Sequence, residues 1–307
     1  MELRQLQYAI QIAAEKNFSR AAEKLHIAQP SLSQQLSKLE KEIGVLLFHR
    51  NTNAVELTHA GALFIEKAQK VIDMMEQIKQ EMDDISHTRK GRLTVGTLPM
   101  TGSHILPLVL PVFQSRFPEI EVVLVEDSTL KLEQLTANGQ TDLSLLTLPL
   151  FDDALSYQPL IDEEIILAMP PQHPLTLQPG LLDMKQLEHE PFIVLKKGQG
   201  FRQIALDLCN QAGFSPNIVF ESTNIETVQS LVAAGMGIAF VPSMFARRQW
   251  SDLSPKYAQL TARPTRTLVI SYRKGRYLSK AAEAFISTIM PLLQQYQETN
   301  IAGRFPS

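Results

Sequence analysis

Between Ala62 and Lys90 the sequence has neither glycine nor proline, and apolar residues recur at Phe64, Ala68, Val71, Met75, Ile78, Met82 and Ile85 in alternating steps of four and three. That spacing is a heptad seam, and at 1.5 Å per residue the stretch allows a helix of up to about 40 Å. Glu66, Lys67, Lys70, Asp73, Glu76, Lys79, Glu81 and Asp83 stand between the seam positions. A helix packed on its own domain shows a wider apolar face, so the narrow stripe favours contact between two chains. Phe64, Ala68, Val71, Met75, Ile78 and Met82 are therefore expected to make a dimer. The rod divides the 307 residues, already more than one core usually holds, into expected domains 1–58, 59–90 and 91–300.

Ahead of the rod, Leu3, Leu6, Ile10 and Ala13 predict a first helix with one buried stripe. A second is expected from Ser19, read as its N-cap, through Ala21, Ala22 and Leu25. A third opens near Gln29-Pro30, because proline is tolerated in a first turn. Leu32, Leu36, Leu39 and Ile43 then form its apolar stripe, and Gly44 ends it. Pro30, Ser33, Gln34, Ser37, Lys38 and Lys41 share the opposite face. These are short hydroxyls, an amide able to pair with adenine, and lysines for guanine or phosphate. On an isolated helix such a face is ordinarily only solvated. Here two short helices joined by His26-Ile27-Ala28 make a helix-turn-helix, whose second member would lie in a DNA major groove. Leu46-Leu47-Phe48 and Ala54-Val55-Glu56-Leu57 follow as strands around the polar tip Arg50-Asn51-Thr52-Asn53, which reads as a wing.

Here the residues carry a family pattern: Phe18-Ser19-Arg20-Ala21-Ala22-Glu23-Lys24-Leu25, then Ala28-Gln29-Pro30-Ser31-Leu32-Ser33-Gln34-Gln35-Leu36-Ser37-Lys38-Leu39-Glu40, then Leu47-Phe48-His49-Arg50 and Leu57-Thr58-His59-Ala60-Gly61. This ordered series covers most of the first 61 residues and resembles the LysR-type transcriptional regulators. The resemblance implies an α/β multidomain chain: an N-terminal winged helix-turn-helix, a long linker helix, and a C-terminal two-lobed α/β effector domain of periplasmic-binding-protein type. It places Gln29, Pro30, Ser31, Ser33, Gln34, Ser37 and Lys38 against DNA, with Arg50 and Asn53 in the wing. Asn53 stands where the family usually carries a second basic residue, so the wing's hold on DNA should be weaker here. The family also implies an antiparallel linker dimer, a homotetramer, and RNA polymerase as a further partner. Assembly matters electrostatically, because residues 1–60 hold seven basic against six acidic side chains, a net of +1. One such head gains little from phosphate attraction, and four acting together gain much more.

After Arg89-Lys90-Gly91 strand and helix alternate. Strands are expected at Leu93–Gly96, Glu121–Glu126, Leu143–Thr147, Ile165–Met169, Phe192–Leu195, Ile218–Glu221, Ile238–Val241 and Thr267–Tyr272, in mostly parallel sheets. Helices are expected at Ser103–Phe117, Thr129–Asn138, Gln203–Ala212 and Glu226–Ala234. The family implies two lobes, about 91–162 with 266–300 and about 163–265, the chain crossing near Ile161–Glu163 and returning near Arg263–Thr267. Open α/β sheets bind ligands beyond the strand ends, at helix N-termini. The matching residues are Pro99, Met100 and Thr101, then Ser128 and Thr129, then Gly200 and Phe201, and Thr223. Each alone is ordinarily a helix cap or turn residue; their convergence makes them effector-binding residues. With Lys196, Lys197 and Arg202 nearby, a small anionic carboxylate is the expected effector.

Composition excludes several other classes. The one cysteine, Cys209, lies in the apolar series Ile204, Leu206, Leu208 and reads as a buried structural thiol. No histidine pair has helical metal-site spacing, so neither metal nor cofactor is expected. The charged start Met-Glu-Leu-Arg-Gln does not read as a signal peptide, and no apolar run approaches membrane-helix length. A cytoplasmic location without membrane contact is expected. An enzyme is disfavoured, because Gly198-Gln199-Gly200 does not complete a dinucleotide fingerprint and no nucleophile with a base stands out. A transport binding protein would need a secretory signal and would not carry a winged helix.

Overall fold

The computed structural model describes residues 1–51, 54–86, 91–246 and 254–302. The chain divides into two compact units, the second beginning beyond the linker helix.

In the first unit, α1 (Leu3–Glu15), α2 (Phe18–Lys24) and α3 (Gln29–Ile43) are followed by β1 (Phe48–Asn51), β2 (Ala54–Leu57) and α4 (His59–Ser86). Ala9, Ile12, Ala21, Ala22, Leu32, Leu36, Leu39, Leu47, Phe48 and Ile65 form one buried core. The expected cap of α2 is corrected. Asn17, not Ser19, is the N-cap, because its side-chain oxygen accepts the Arg20 N–H at 3.0 Å. Gly44, at φ 76°, closes α3 in the left-handed conformation that glycine adopts without penalty.

The first wing strand is also shifted, to Phe48–Asn51, paired antiparallel with Ala54–Leu57 from Phe48↔Leu57 to Asn51↔Ala54. Leu46 lies outside it. The Leu47 and Phe48 N–H groups instead donate to Glu40 Oε1 at 2.8 and 3.3 Å, which ties the wing's root to α3. Behind it, the Thr58 hydroxyl donates to the Leu46 carbonyl at 2.7 Å and accepts the Gly61 N–H at 2.8 Å. A Cβ at Gly61 would collide with the Leu47 carbonyl. The Leu57-Thr58-His59-Ala60-Gly61 run is thus the joint between wing and linker.

The second unit contains β3 (Gly91–Thr97), α5 (Pro99–Arg116), β4 (Ile120–Glu126), α6 (Thr129–Ala137), β5 (Leu143–Thr147), β6 (Leu155–Met169), β7 (Pro191–Leu195), α7 (Gly200–Gln211), β8 (Asn217–Ser222), α8 (Ile225–Ala233), β9 (Ala239–Pro242), β10 (Lys256–Ala258), β11 (Thr265–Arg273) and α9 (Lys280–Ala302). Strand order is β10-β6-β11-β5-β3-β4, with β9 also on β6 and a separate β7-β8 pair. The expectation of mostly parallel sheets is corrected. β3–β4, β3–β5 and β7–β8 are parallel, while β11–β5, β11–β6, β6–β9 and β6–β10 are antiparallel. The reason is that the long strand β6 runs through both lobes, pairing antiparallel with β11 in one and with β9 and β10 in the other. Ile161 and Leu160 of β6 sit in the core with Leu93, Phe113, Leu268 and Phe285. Ile165–Met169 of the same strand pack with Phe192, Val228 and Phe240 in a second core. No helix among the described residues is long and apolar enough to cross a membrane.

Candidate nucleic-acid interface and effector cleft

On α3 the buried stripe Leu32, Leu36 and Leu39 leaves the other face outward. Gln29, Pro30, Ser31, Gln34, Ser37 and Lys38 are exposed and Ser33 is half-buried, so one continuous surface of hydroxyl, amide and ammonium groups lies along the helix. Glu40, the first acid on this helix, is buried beneath the wing and does not oppose an approaching phosphate from that surface. Arg50 lies within β1, opposite Val55, and Asn53 falls outside the described residues.

Along α4 the seam divides into two parts. Phe64 packs against the core of the first unit and Ala68 is buried. Val71, Met75, Ile78 and Met82 are exposed, with Met74 beside them. An apolar stripe of this length left open to water is costly unless another surface covers it.

In the second unit a cavity of about 30 Å³, room for a water molecule or two, lies where several segments meet. Leu98, Pro99 and Met100 bring the start of α5, and Thr147 the end of β5. Gln199, Gly200 and Phe201 bring the start of α7, Thr223 and Ile225 the start of α8, and Arg266 comes from β11. Three helix N-termini, whose first N–H groups lack acceptors within the helix, thus border one small space, an arrangement that favours negative charge.

Pro99, Met100, Gly200, Phe201 and Thr223 line this cavity as the sequence predicts. The other three predicted residues do not line it. Thr101 is fully buried on α5, its hydroxyl without a hydrogen-bond partner. Thr129 is turned to the second lobe, where its hydroxyl accepts the Gly200 N–H at 3.2 Å. Ser128 is occupied by its neighbour, its N–H and hydroxyl meeting Asp127 Oδ1 at 2.7 and 3.3 Å.

The positive charge comes from a different residue than expected. Lys196 and Lys197 are exposed, and Arg202 is engaged by Glu221 at 2.7 Å and the Leu195 carbonyl at 2.6 Å. Arg266, whose side chain is 0% exposed, lines the cavity instead. Its Nε and Nη2 lie 2.8 and 2.7 Å from Glu163 Oε2. Phe201 and Phe245 flank the guanidinium, each ring centroid 5.5 Å away. Nη1 and Nη2 both lack a hydrogen bond, although Nη2 is within ion-pair distance of Glu163. Sequence reasoning missed this residue; the available signal was a charged pair, Arg266 and Glu163, beside strongly apolar strands at the two crossing points.

Cys209 is buried on α7, and loss of hydration pushes its thiol up to about 12.

Two family models match this chain. "Bacterial regulatory helix-turn-helix protein, lysR family" covers residues 3–62 and "LysR substrate binding domain" covers 86–294. The Bacillus subtilis (strain 168) "Uncharacterized HTH-type transcriptional regulator YcgK" is 41% identical, with 99% of this chain and 98% of that protein aligned. A "Hydrogen peroxide-inducible genes activator" of Pectobacterium carotovorum subsp. carotovorum is 33% identical over 97% of this chain and 99% of its own length. Among solved structures, a point-substituted full-length OxyR from Pseudomonas aeruginosa superimposes with a TM-score of 0.75 at 28% identity, covering 96% of this chain and 95% of that one. Head, linker and two-lobed body all find their counterparts in one family. The chain belongs to the LysR-type transcriptional regulators: it is a DNA-binding regulator of transcription and not an enzyme, and its C-terminal domain binds a small-molecule effector.

Proposed function

We propose that the effector is a small carboxylate anion bound between the two lobes, and that it changes how the heads sit on operator DNA more than whether they bind. The observation that carries this reading is buried Arg266, which lines a cavity bordered by three helix N-termini and whose Nη1 has no hydrogen-bond partner. A buried donor without a partner costs about 1 to 3 kcal/mol, more when charged, and an anion would recover that cost. In the same reading Gln29, Ser33, Gln34, Ser37 and Lys38 read bases, Pro30 and Ser31 set the start of α3, and Arg50 and Asn53 belong to the wing. Val71, Met75, Ile78 and Met82 form the open dimer seam that Phe64 and Ala68 begin. Two such dimers make the homotetramer, which presents itself to RNA polymerase at the promoter.

The peroxide-inducible names among the relatives raise thiol oxidation as a second signal. Cys209 argues against it: it is the only cysteine, it is buried, and at neutral pH a thiol pushed up to about 12 offers very little thiolate for a peroxide to oxidise.

An effector acts only through its differential affinity for two states, typically about 1 to 3 kcal/mol. Footprints on the DNA upstream of the gene, with and without the smallest carboxylates, formate and acetate, should share one protected half-site and differ at a second. Arg266→Gln should abolish the difference while leaving the effector-free footprint. Footprints unmoved by either carboxylate, or complete release from DNA by one of them, would overturn the proposal.

A further inference from the structure

The geometry points to Glu163 as the residue that sets how tightly, and with what charge, a ligand is held in the cleft. This inference rests on the anionic-effector reading of that site. Arg266 and Glu163 are direct cross-strand neighbours on β11 and β6, at the level where both strands pass from one lobe to the other. The pair is nearly sealed from water, with side-chain exposures of 0% and 3%. Glu163 Oε1 is occupied in turn, accepting the Met244 N–H at 2.8 Å.

A guanidinium has five N–H donors in a planar fork. Glu163 Oε2 lies on the Nε and Nη2 side and Phe201 and Phe245 flank the group, so in this cavity-lining residue Nη1 is the donor farthest from any protein counter-charge. An arriving anion therefore meets a cation that already has its counter-charge on the far side of the same plane. A like charge one guanidinium away weakens anion binding by about tenfold to a hundredfold at an effective dielectric near 20. Glu163 accordingly holds the site's affinity down and gives a reversible response to ligand. It also disfavours dianions, which meet its repulsion twice over, relative to monoanions.

This assignment makes a prediction of unusual sign. Removing a residue that merely supports the fold loosens a site; removing this carboxylate should tighten it. The measurement is the thermal melting of the full-length protein titrated with acetate at constant ionic strength, with acetamide as the uncharged control. In the parent, acetate should raise the melting temperature and acetamide should not. In Glu163→Gln the protein should melt lower without acetate, and the half-maximal acetate concentration should fall at least fivefold, because the anion supplies the missing counter-charge. If Glu163→Gln folds only poorly, Glu163→Asp, which draws the carboxylate back by one methylene, should show the same tightening to a smaller degree. Sulfate should gain more than acetate from either substitution.

A parent that responds to acetate beside Glu163 variants that respond equally or more weakly would overturn the role of Glu163 and leave the anionic cleft standing. Parent and variants that both ignore acetate and sulfate would overturn the cleft reading and this inference with it.

Discussion

The recognition head and the effector cleft solve opposite problems. On α3 the residues assigned to DNA lie on consecutive turns of one helix, mostly exposed and held outward by a buried stripe on the other side. In the cleft the lining comes from α5, β5, α7, α8 and β11, and its charged residue is withdrawn from water altogether. An exposed polar face can be weak singly and strong by repetition along DNA. A sealed guanidinium acts once, at short range, where the low dielectric magnifies every charge. The difference sets a head proposed to depend on assembly against a cleft proposed to depend on desolvation.

The largest effect should come from breaking assembly. Met75→Lys places a charge in the open apolar stripe of α4. It should dissociate the linker dimer in sedimentation and lower operator affinity by about 10² to 10⁴, the usual range of avidity. A variant that keeps both its mass and its affinity would show that the head does not depend on assembly.

A smaller effect sharpens the surface side of the comparison. Gln34→Ala should cost about 1 to 3 kcal/mol on the cognate operator and much less on random DNA. Arg50→Ala should weaken both alike and flatten the salt dependence by about one phosphate. Titrations on both DNAs at several salt concentrations distinguish the two, and equal losses for Gln34→Ala would remove it from base reading.

The smallest expected effect tests desolvation away from the cleft. Glu133 on α6 is buried, and although its Oε2 accepts the N–H groups of Phe151 and Asp152 at 3.0 and 2.9 Å, loss of hydration raises its carboxyl above the ordinary value. A carboxyl raised on folding binds its proton more tightly in the native state, so stability should decline as pH rises from the ordinary glutamate value through the raised one. Glu133→Gln should flatten this part of the pH profile of thermal melting. An unchanged slope would mean that the burial of this carboxylate carries no electrostatic cost.

Much of the architecture was legible because its signals are local. The stripe Leu32, Leu36, Leu39 identified α3 and its outward face, and the apolar block Leu143–Thr147 was a strand throughout its expected length. Where a local signal had a rival, the rival won through a specific hydrogen bond: Asn17 took the cap from Ser19, and Glu40 drew the Leu47 N–H away, so that the wing ladder begins only at Phe48. The first half of β6 escaped notice because its alternating burial at Leu155–Leu160 lacks the dense apolar run that marked Ile165–Met169.

The sequence alone therefore determined the family, the head with the outward polar face of α3, the rod, and the alternating strands and helices of the body, since each rests on residues a few positions apart. Only the tertiary structure decided which charge faces the effector cavity. Arg202, near the predicted loop, was spent on Glu221, while Arg266 reached the cavity through a strand that returns after the second lobe is complete. No periodicity brings Arg266, Glu163, Phe201 and Phe245 together. Packing does, because a buried guanidinium is tolerable only where a carboxylate and aromatic faces from distant segments arrive to meet it.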